Sequence, residues 1–411
     1  MTGPLVLIEP YANRLGGHHQ RTLAALAHAR PGSLVIAPPA IPRETVSALR
    51  VAEARLVTAP AGHRAGALWA GSCLAAAISS VGQRVFHSRR WHRSLRRLPH
   101  QITLIARCLA EAAALRTARR LEPGAEAVVI LTASEALHGA AALLGGQPHL
   151  RFVHEAVTTE DTVVRLFSRL ARRGEQRAMA VCPTQAVGDQ FAGGFPELPA
   201  TVRVFAVDDG HRLTGAERAG GRMAFDIPAV EAAICLVGGW WSYKDITVVD
   251  EALTRLKEPL HLLVTGDPLD GAVLRRWQSL PNLHLHIVPG PVGEGVLRLV
   301  YAAADAALVA RKPGVGKESG LVMDAARLGV PLIVSDHDPE LCARLKGQPW
   351  ALTFAAGDSV DLADALHSVI RQPPKLPGPQ APRLLGMRPA TEQADFLAHT
   401  FASLRTKEFR C

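Results

Sequence analysis

Lys317-Glu318-Ser319-Gly320-Leu321-Val322-Met323-Asp324-Ala325-Ala326-Arg327-Leu328-Gly329-Val330-Pro331-Leu332-Ile333-Val334-Ser335-Asp336 reads as a glycine turn, a short helix, a second glycine turn and a buried strand. Two carboxylates, Glu318 and Asp324, lie near the helix start. The first turn of a helix leaves backbone N–H groups unpaired, and these can hold an anionic diphosphate. The carboxylates can accept hydrogen bonds from sugar or ribose hydroxyls. An ordinary loop-helix-strand unit of an α/β domain would carry the same pattern.

The same alternation extends in both directions. Upstream, strands are expected at Ala232–Val237, His261–Val264, His284–Val288 and Ala306–Ala310, with a helix over Val248–Lys257. The first half repeats the scheme. It has strands at Leu5–Ile8, Leu34–Ala37, Ala127–Leu131, Arg151–His154, Met179–Cys182 and Val202–Val207. Helices are expected over Arg21–Ala29 and about 101–121, 134–144, 161–176 and 184–191. Strand-helix alternation implies mostly parallel sheets covered by helices. The polar stretch 209–229 reads as a linker between two such halves. A proline-rich stretch over 372–389 precedes a last helix at about Thr391–Thr406.

With 411 residues the chain is long for one domain. Hydrophobic residues make up 48% and charged residues 20%, a globular balance. Met1–Pro10 lacks the basic start and apolar core of a secretion signal. The longest uncharged run, between Arg64 and Arg84, is broken by glycines, serines and Gln83, which argues against a membrane span. Six scattered cysteines suit a reducing cytoplasm and argue against a disulfide framework or zinc site built on them. Residues 1–208 hold 24 Arg, no Lys and 14 acidic residues, so 24 − 14 = +10, and the rest of the chain sums to −1, giving the net +9. A basic half can face an anionic acceptor, an acidic membrane surface or nucleic acid, or its arginines can simply be solvated. Arg84–Arg97, six arginines interleaved with His87, Trp91 and His92, concentrates this charge. No nucleic-acid motif accompanies it. No GxxxxGK[ST], HExxH or GxSxG pattern occurs.

Gly238-Gly239-Trp240-Trp241-Ser242-Tyr243-Lys244-Asp245 follows the first strand of the second half, and Lys244 is the first lysine in the chain. Thr265-Gly266-Asp267 ends the next strand, and Val288-Pro289-Gly290 ends the third. Together with Val300–Leu308 and the 317–336 stretch, these segments resemble, in order and spacing, the donor domain of family 4-like glycosyltransferases of the GT-B fold. The resemblance implies an α/β protein of two Rossmann-like domains facing across a cleft, with a C-terminal helix crossing back. Residues 1–208 would be the acceptor domain, 209–229 the linker, 230–385 the donor domain, and 386–411 a tail and helix packing on the first domain.

The activity implied is transfer of a sugar from a nucleoside-diphosphate sugar, UDP or GDP, to a hydroxyl of a small-molecule, natural-product, lipid or glycan acceptor. It would be metal-independent and retaining, with no cofactor beyond the nucleotide sugar as co-substrate. Donor-binding residues would be Gly17, Gly238, Gly239, Lys244, Gly266, Val288, Pro289, Glu318, Ser319, Gly320, Leu321 and Asp324. Lys244 would neutralise the departing diphosphate, Glu318 would contact the transferred sugar, and Asp324 would hold the ribose. His154, at a strand end, would act near the reacting sugar, so Lys244, Glu318 and His154 form the catalytic set. His18, His19 and Glu155 would line the acceptor side.

Two departures from the family pattern stand out. The arginine common just before the lysine is replaced by aromatics, and Glu318 is two residues closer to Asp324 than the usual carboxylate pair. An epimerase or pseudo-glycosyltransferase on the same fold, and an inactive nucleotide-binding or scaffold subunit, are the alternatives. The expected location is the cytoplasm, peripheral to the inner membrane face through the basic half, with no nucleic-acid partner.

Overall fold

The computed structural model describes residues 3–13, 18–86, 93–134, 136–155 and 171–408, of which 18, 93–96, 175, 407 and 408 are described by backbone alone. The described chain forms two compact units. The first contains the N-terminal strand, His19–Val207 and the chain from Ala390 onward; the second contains Asp208–Pro389.

The first unit is built on β1 (Leu5–Ile8), β2 (Leu34–Ile36), β3 (Arg55–Val57), β4 (Ala127–Ile130), β5 (His149–Phe152), β6 (Ala178–Cys182) and β7 (Ala200–Val202). They lie in the order β3-β2-β1-β4-β5-β6-β7, all parallel. Every residue of β1, β4, β5 and β6 is buried, as expected for strands covered on both faces. The last helix, Ala390–Glu408, belongs to this unit. Its Ala394, Leu397, Phe401 and Leu404, spaced three and four apart, enter the core that holds β1 and β4.

Two long helices, His63–Phe86 and Arg93–Leu121, pack as a hairpin. Ser72, Ser79 and Gly82, among the residues that interrupt the apolar run, lie in this contact. Ser72 Oγ donates to Ala106 O at 2.8 Å and Ser79 Oγ to Pro99 O at 2.7 Å. A Cβ on Gly82 would lie 3.0 Å from the Pro99 ring. The larger side chains Leu74, Ile78, Val81 and Val85 point outward and are exposed. The helix of 24 residues is long and apolar enough to cross a membrane by length and composition, which differs from the sequence expectation. Residues 87–92 of the basic Arg84–Arg97 stretch lie outside the described residues, and 93–97 are helical. Of the helix expected at 161–176, 156–170 lies outside the description and Arg172–Glu175 is helical.

The second unit has β8 (Ala233–Val237), β9 (Leu260–Gly266), β10 (Leu283–Pro289), β11 (Ala306–Val309), β12 (Leu332–Ser335) and β13 (Ala351–Phe354). Their order is β10-β9-β8-β11-β12-β13, again parallel throughout. The linker expected at 209–229 is corrected here. Gly215–Ala224 is a helix opened by a capping box between Thr214 and Glu217. It packs so closely on the helix Glu294–Ala303 that a Cβ on Gly221 would stand 2.8 Å from Ala303 N. Glycines that suggest a loop by composition instead allow two helices to touch.

In both sheets the strand order reverses next to the first strand, between β1 and β4 and between β8 and β11. Such switch points leave a crevice at the C-terminal strand ends, where α/β proteins bind ligands.

Candidate functional site

At the switch point of the second sheet a cavity of about 360 Å³ opens. It is lined by the segments that follow β8, β9, β10 and β11 and by the start of the helix Gly320–Leu328. Of the expected donor residues, Gly238, Gly239, Lys244, Gly266, Glu318, Gly320, Leu321 and Asp324 all line it. Val288 and Pro289 end β10 just before it, and the wall itself is Gly290, Pro291 and Val292. Ser319 is buried at the N-cap position, yet its hydroxyl caps no backbone N–H.

Gly239 and Gly266 are required by the packing of the backbone on itself. A Cβ on Gly239 would sit 2.1 Å from Asp267 O, and one on Gly266, at φ +140°, would sit 2.3 Å from Gly238 C. Two backbone segments therefore cross at the cavity floor where no side chain fits. Gly238 N–H donates to Thr265 O at 2.7 Å and Trp240 N–H to Pro268 O at 2.6 Å, which ties the crossing together.

Lys244 is buried beneath the cavity. Its Nζ donates to Val237 O at 2.7 Å and to Gly238 O at 2.8 Å. Burial, with a smaller contribution from the Arg311 charge, pushes its ammonium down to about 7. Arg311 was not legible in the sequence as a site residue. It lies just beyond β11, bridged antiparallel to Lys244, and lines the same cavity. Its guanidinium donates to Lys317 O at 2.7 Å and Glu318 O at 3.3 Å, holding the loop that carries Glu318. Its backbone N–H is fixed on Ser335 Oγ at 2.9 Å. A second cation thus stands beside Lys244, carried by another strand. A third cation, Lys317 Nζ, sits 3.9 Å above the Tyr243 ring. The signal available in the sequence was an arginine directly after the apolar strand Ala306–Ala310. Glu318 precedes the N-cap and Asp324 is buried within the helix, so the two carboxylates reach the cavity from different directions.

His154, His19 and Glu155 belong to the first unit. His154 follows β5, where its Nε2 is bonded to Leu131 O at 2.9 Å. Its ring packs edge-on against His19 and Phe205, at 4.7 and 4.6 Å between centroids. Burial lowers it to about 4, partly opposed by the Leu131 carbonyl, so it is neutral at physiological pH. His19 Nδ1 lies 3.3 Å from Thr132 Oγ1, which donates to Glu9 Oε2 at 2.9 Å. Glu9, fully buried at the end of β1, was not anticipated. This group occupies the switch point of the first sheet. A cavity of about 320 Å³ beside it is lined by Tyr11, Thr132 and Ser134 and by Ser72, Ser79 and Arg107 of the helical hairpin. Glu155 is exposed. Gly17 and the His18 side chain lie outside the described residues.

No protein-family model and no curated protein matches the sequence. Solved structures do match. Anabaena HepE (Alr3699), solved with UDP and glucose, is 14% identical over 99% of both chains with a TM-score of 0.59. A glycosyltransferase from Rickettsia africae is 13% identical over 99% of this chain and 97% of that one, with a TM-score of 0.57. WaaG, a glycosyltransferase of lipopolysaccharide biosynthesis, is 14% identical over 95% of each chain at 0.50. At these identities the likeness establishes the fold: two Rossmann-like parallel-sheet domains of the GT-B type.

Proposed function

We propose that this chain is a glycosyltransferase that takes its sugar from a nucleoside-diphosphate sugar, with UDP as the preferred nucleotide. The observation carrying the reading is the cavity at β8 and β11. There Lys244, Arg311 and the first N–H groups of the helix Gly320–Leu328 converge, with Asp324 beside them. Cations and N–H groups suit a diphosphate, and a buried carboxylate suits a vicinal ribose diol. HepE, of the same fold, was solved with UDP-glucose.

In this reading the acceptor oxygen bonds to the anomeric carbon as the C–O bond to the β-phosphate breaks, and the hydroxyl proton passes to the diphosphate. Lys244 and Arg311 meet the charge that develops on the leaving group. Transfer with retention, proceeding in the presence of a chelator, follows from the family resemblance.

A thermal-shift panel of UDP-, GDP-, ADP- and dTDP-sugars tests the donor. Asp324→Ala should weaken binding of the preferred donor by about 1–3 kcal/mol, the cost of a lost charge-assisted hydrogen bond. Glu318→Gln should lower turnover more than it lowers affinity for free UDP, because that product lacks the sugar. A panel without any shift would end the reading. Donor hydrolysis or epimerisation without transfer would favour the other enzymes of this fold, and binding without chemistry would favour a scaffold subunit.

The acceptor proposed is a lipid or lipid-linked glycan reached at the cytoplasmic membrane face. The exposed row Leu74, Ile78, Val81 and Val85, ending beside the arginine-rich 84–97 stretch, supports this. Flotation with anionic vesicles should recover the protein, and Ile78→Glu with Val81→Glu should abolish recovery. Flotation equal to wild type in that double variant would leave the acceptor among soluble molecules.

A further inference from the structure

At the end of the second sheet opposite the nucleotide cavity, three histidines and a glutamate meet. His284 and His286 alternate along β10 and so face the same side. His261, the second residue of β9, is paired in register with His284. The His261 ring stacks on His284 at 4.6 Å and on His286 at 5.2 Å. Its Nε2 lies 2.6 Å from Glu231 Oε2, and its Nδ1 lies 2.9 Å from His286 Nε2. The ligating atoms of Glu231, His261 and His284 all lie within 4.8 Å of one another.

The geometry points to a divalent transition-metal site, of the zinc class, formed by Glu231, His261 and His284. Hydrogen bonding accounts for Glu231, His261 and His286, because a buried imidazole needs partners at both nitrogens. It does not account for His284, an exposed ring laid against the same imidazole. A metal ion does, since it uses His284 as its third ligand.

Two imidazoles and a carboxylate match zinc, nickel or copper rather than calcium or magnesium, which prefer oxygen ligands throughout. Three protein ligands leave a fourth position for water. With the ion on His261 Nε2, the Nδ1–H of His261 donates to His286 Nε2. His286 then orients the ligand from behind, as outer partners of metal-bound histidines do.

The site is separate from the donor cavity. His261 and Gly266 stand five residues apart on β9, about 17 Å at the rise of a strand. Its bound ion would clip β10, the edge strand of its sheet, to β9 and to the segment before β8.

The test is calorimetry of the full chain, first stripped with EDTA, then titrated with zinc and with nickel. A Cys73→Ser background removes the exposed thiol as a competing ligand. One equivalent of zinc should bind. His284→Ala and Glu231→Gln should each weaken binding at least about tenfold, and His286→Ala by about 10–100-fold. X-ray absorption should report nitrogen and oxygen neighbours without sulfur. UDP-sugar affinity should not change with zinc. Absence of zinc binding at micromolar concentrations, or binding unchanged in both His284→Ala and Glu231→Gln, would overturn the site. Loss of UDP-sugar binding alone would bear only on the glycosyltransferase reading.

Discussion

Arg151→Met is expected to destabilise the first unit by about 3–5 kcal/mol, the cost of stripping a buried charge of its partner. Arg151 is fully buried on β5, against the simplest reading of the basic half as solvated arginines. Its guanidinium donates to Glu111 Oε2 at 2.6 Å, His138 Nδ1 at 3.0 Å and His149 Nε2 at 3.2 Å. Glu111 also accepts the Ser134 N–H at 2.5 Å, so the pair fixes the loop after β4. Burial and the Arg151 charge push His149 down to about 3, which keeps it a neutral acceptor. In Arg151→Met the Glu111 carboxylate would stay buried beside Ser134 without its cation. Replacing both, Arg151→Met with Glu111→Leu, should cost less than Arg151→Met alone, because no lone charge remains. Denaturant melts, with hydrogen exchange of the β4–β6 amides, measure this. A change below about 1 kcal/mol in the single variant would mean that water reaches the network and relieves the charge.

Donor affinity is expected to fall as pH rises through neutrality, with Lys244 responsible. The Lys244 ammonium is held down to about 7 in the free protein. A bound diphosphate favours the charged form, so the complex takes up a proton wherever the free lysine has lost its own. Affinity is therefore full below about pH 7 and declines above it, by at most about tenfold per pH unit. Between pH 6 and 8.5 the loss approaches about 30-fold if only the charged lysine binds. A UDP-sugar is the right probe, because its diphosphate carries no group that titrates in this range. Calorimetry in two buffers of different ionisation enthalpy should show proton uptake at pH 8. Lys244→Met should bind weakly and without this pH dependence, and it should fold, because burying a thioether costs less than burying an ammonium. A wild-type profile flat from pH 6 to 8.5 would show that Lys244 stays charged throughout or does not meet the diphosphate.

The sequence by itself determined what short-range pattern can carry. Apolar runs of four or five residues separated by amphipathic helices implied parallel sheets with helices on both faces, and both sheets are of that kind. Glycine turns after apolar strands marked the cavity floor, because strand ends and positive-φ positions are local properties. Gly238, Gly239 and Gly266 stand at such turns, whereas the grouping of Lys244 and the 318–324 segment with them came from the family resemblance. Local pattern misled at 209–229, where four glycines suggested a linker. Gly221 is instead required by a helix about 80 residues further along the chain.

Long-range partners were decided only by the tertiary structure. Arg311 joins Lys244 because β11 lies beside β8 at the switch point, a neighbour relation that no spacing reveals. Glu9 meets Thr132 across a separation of 123 residues, and Arg151 meets Glu111 across 40. Glu231, His261 and His284 come together through strand register, which a one-residue slip would undo. Periodicity reports which face of an element is apolar; which element lies beside which depends on packing the whole sheet, and the charged and metal-ligating groups of this chain are assembled at that level.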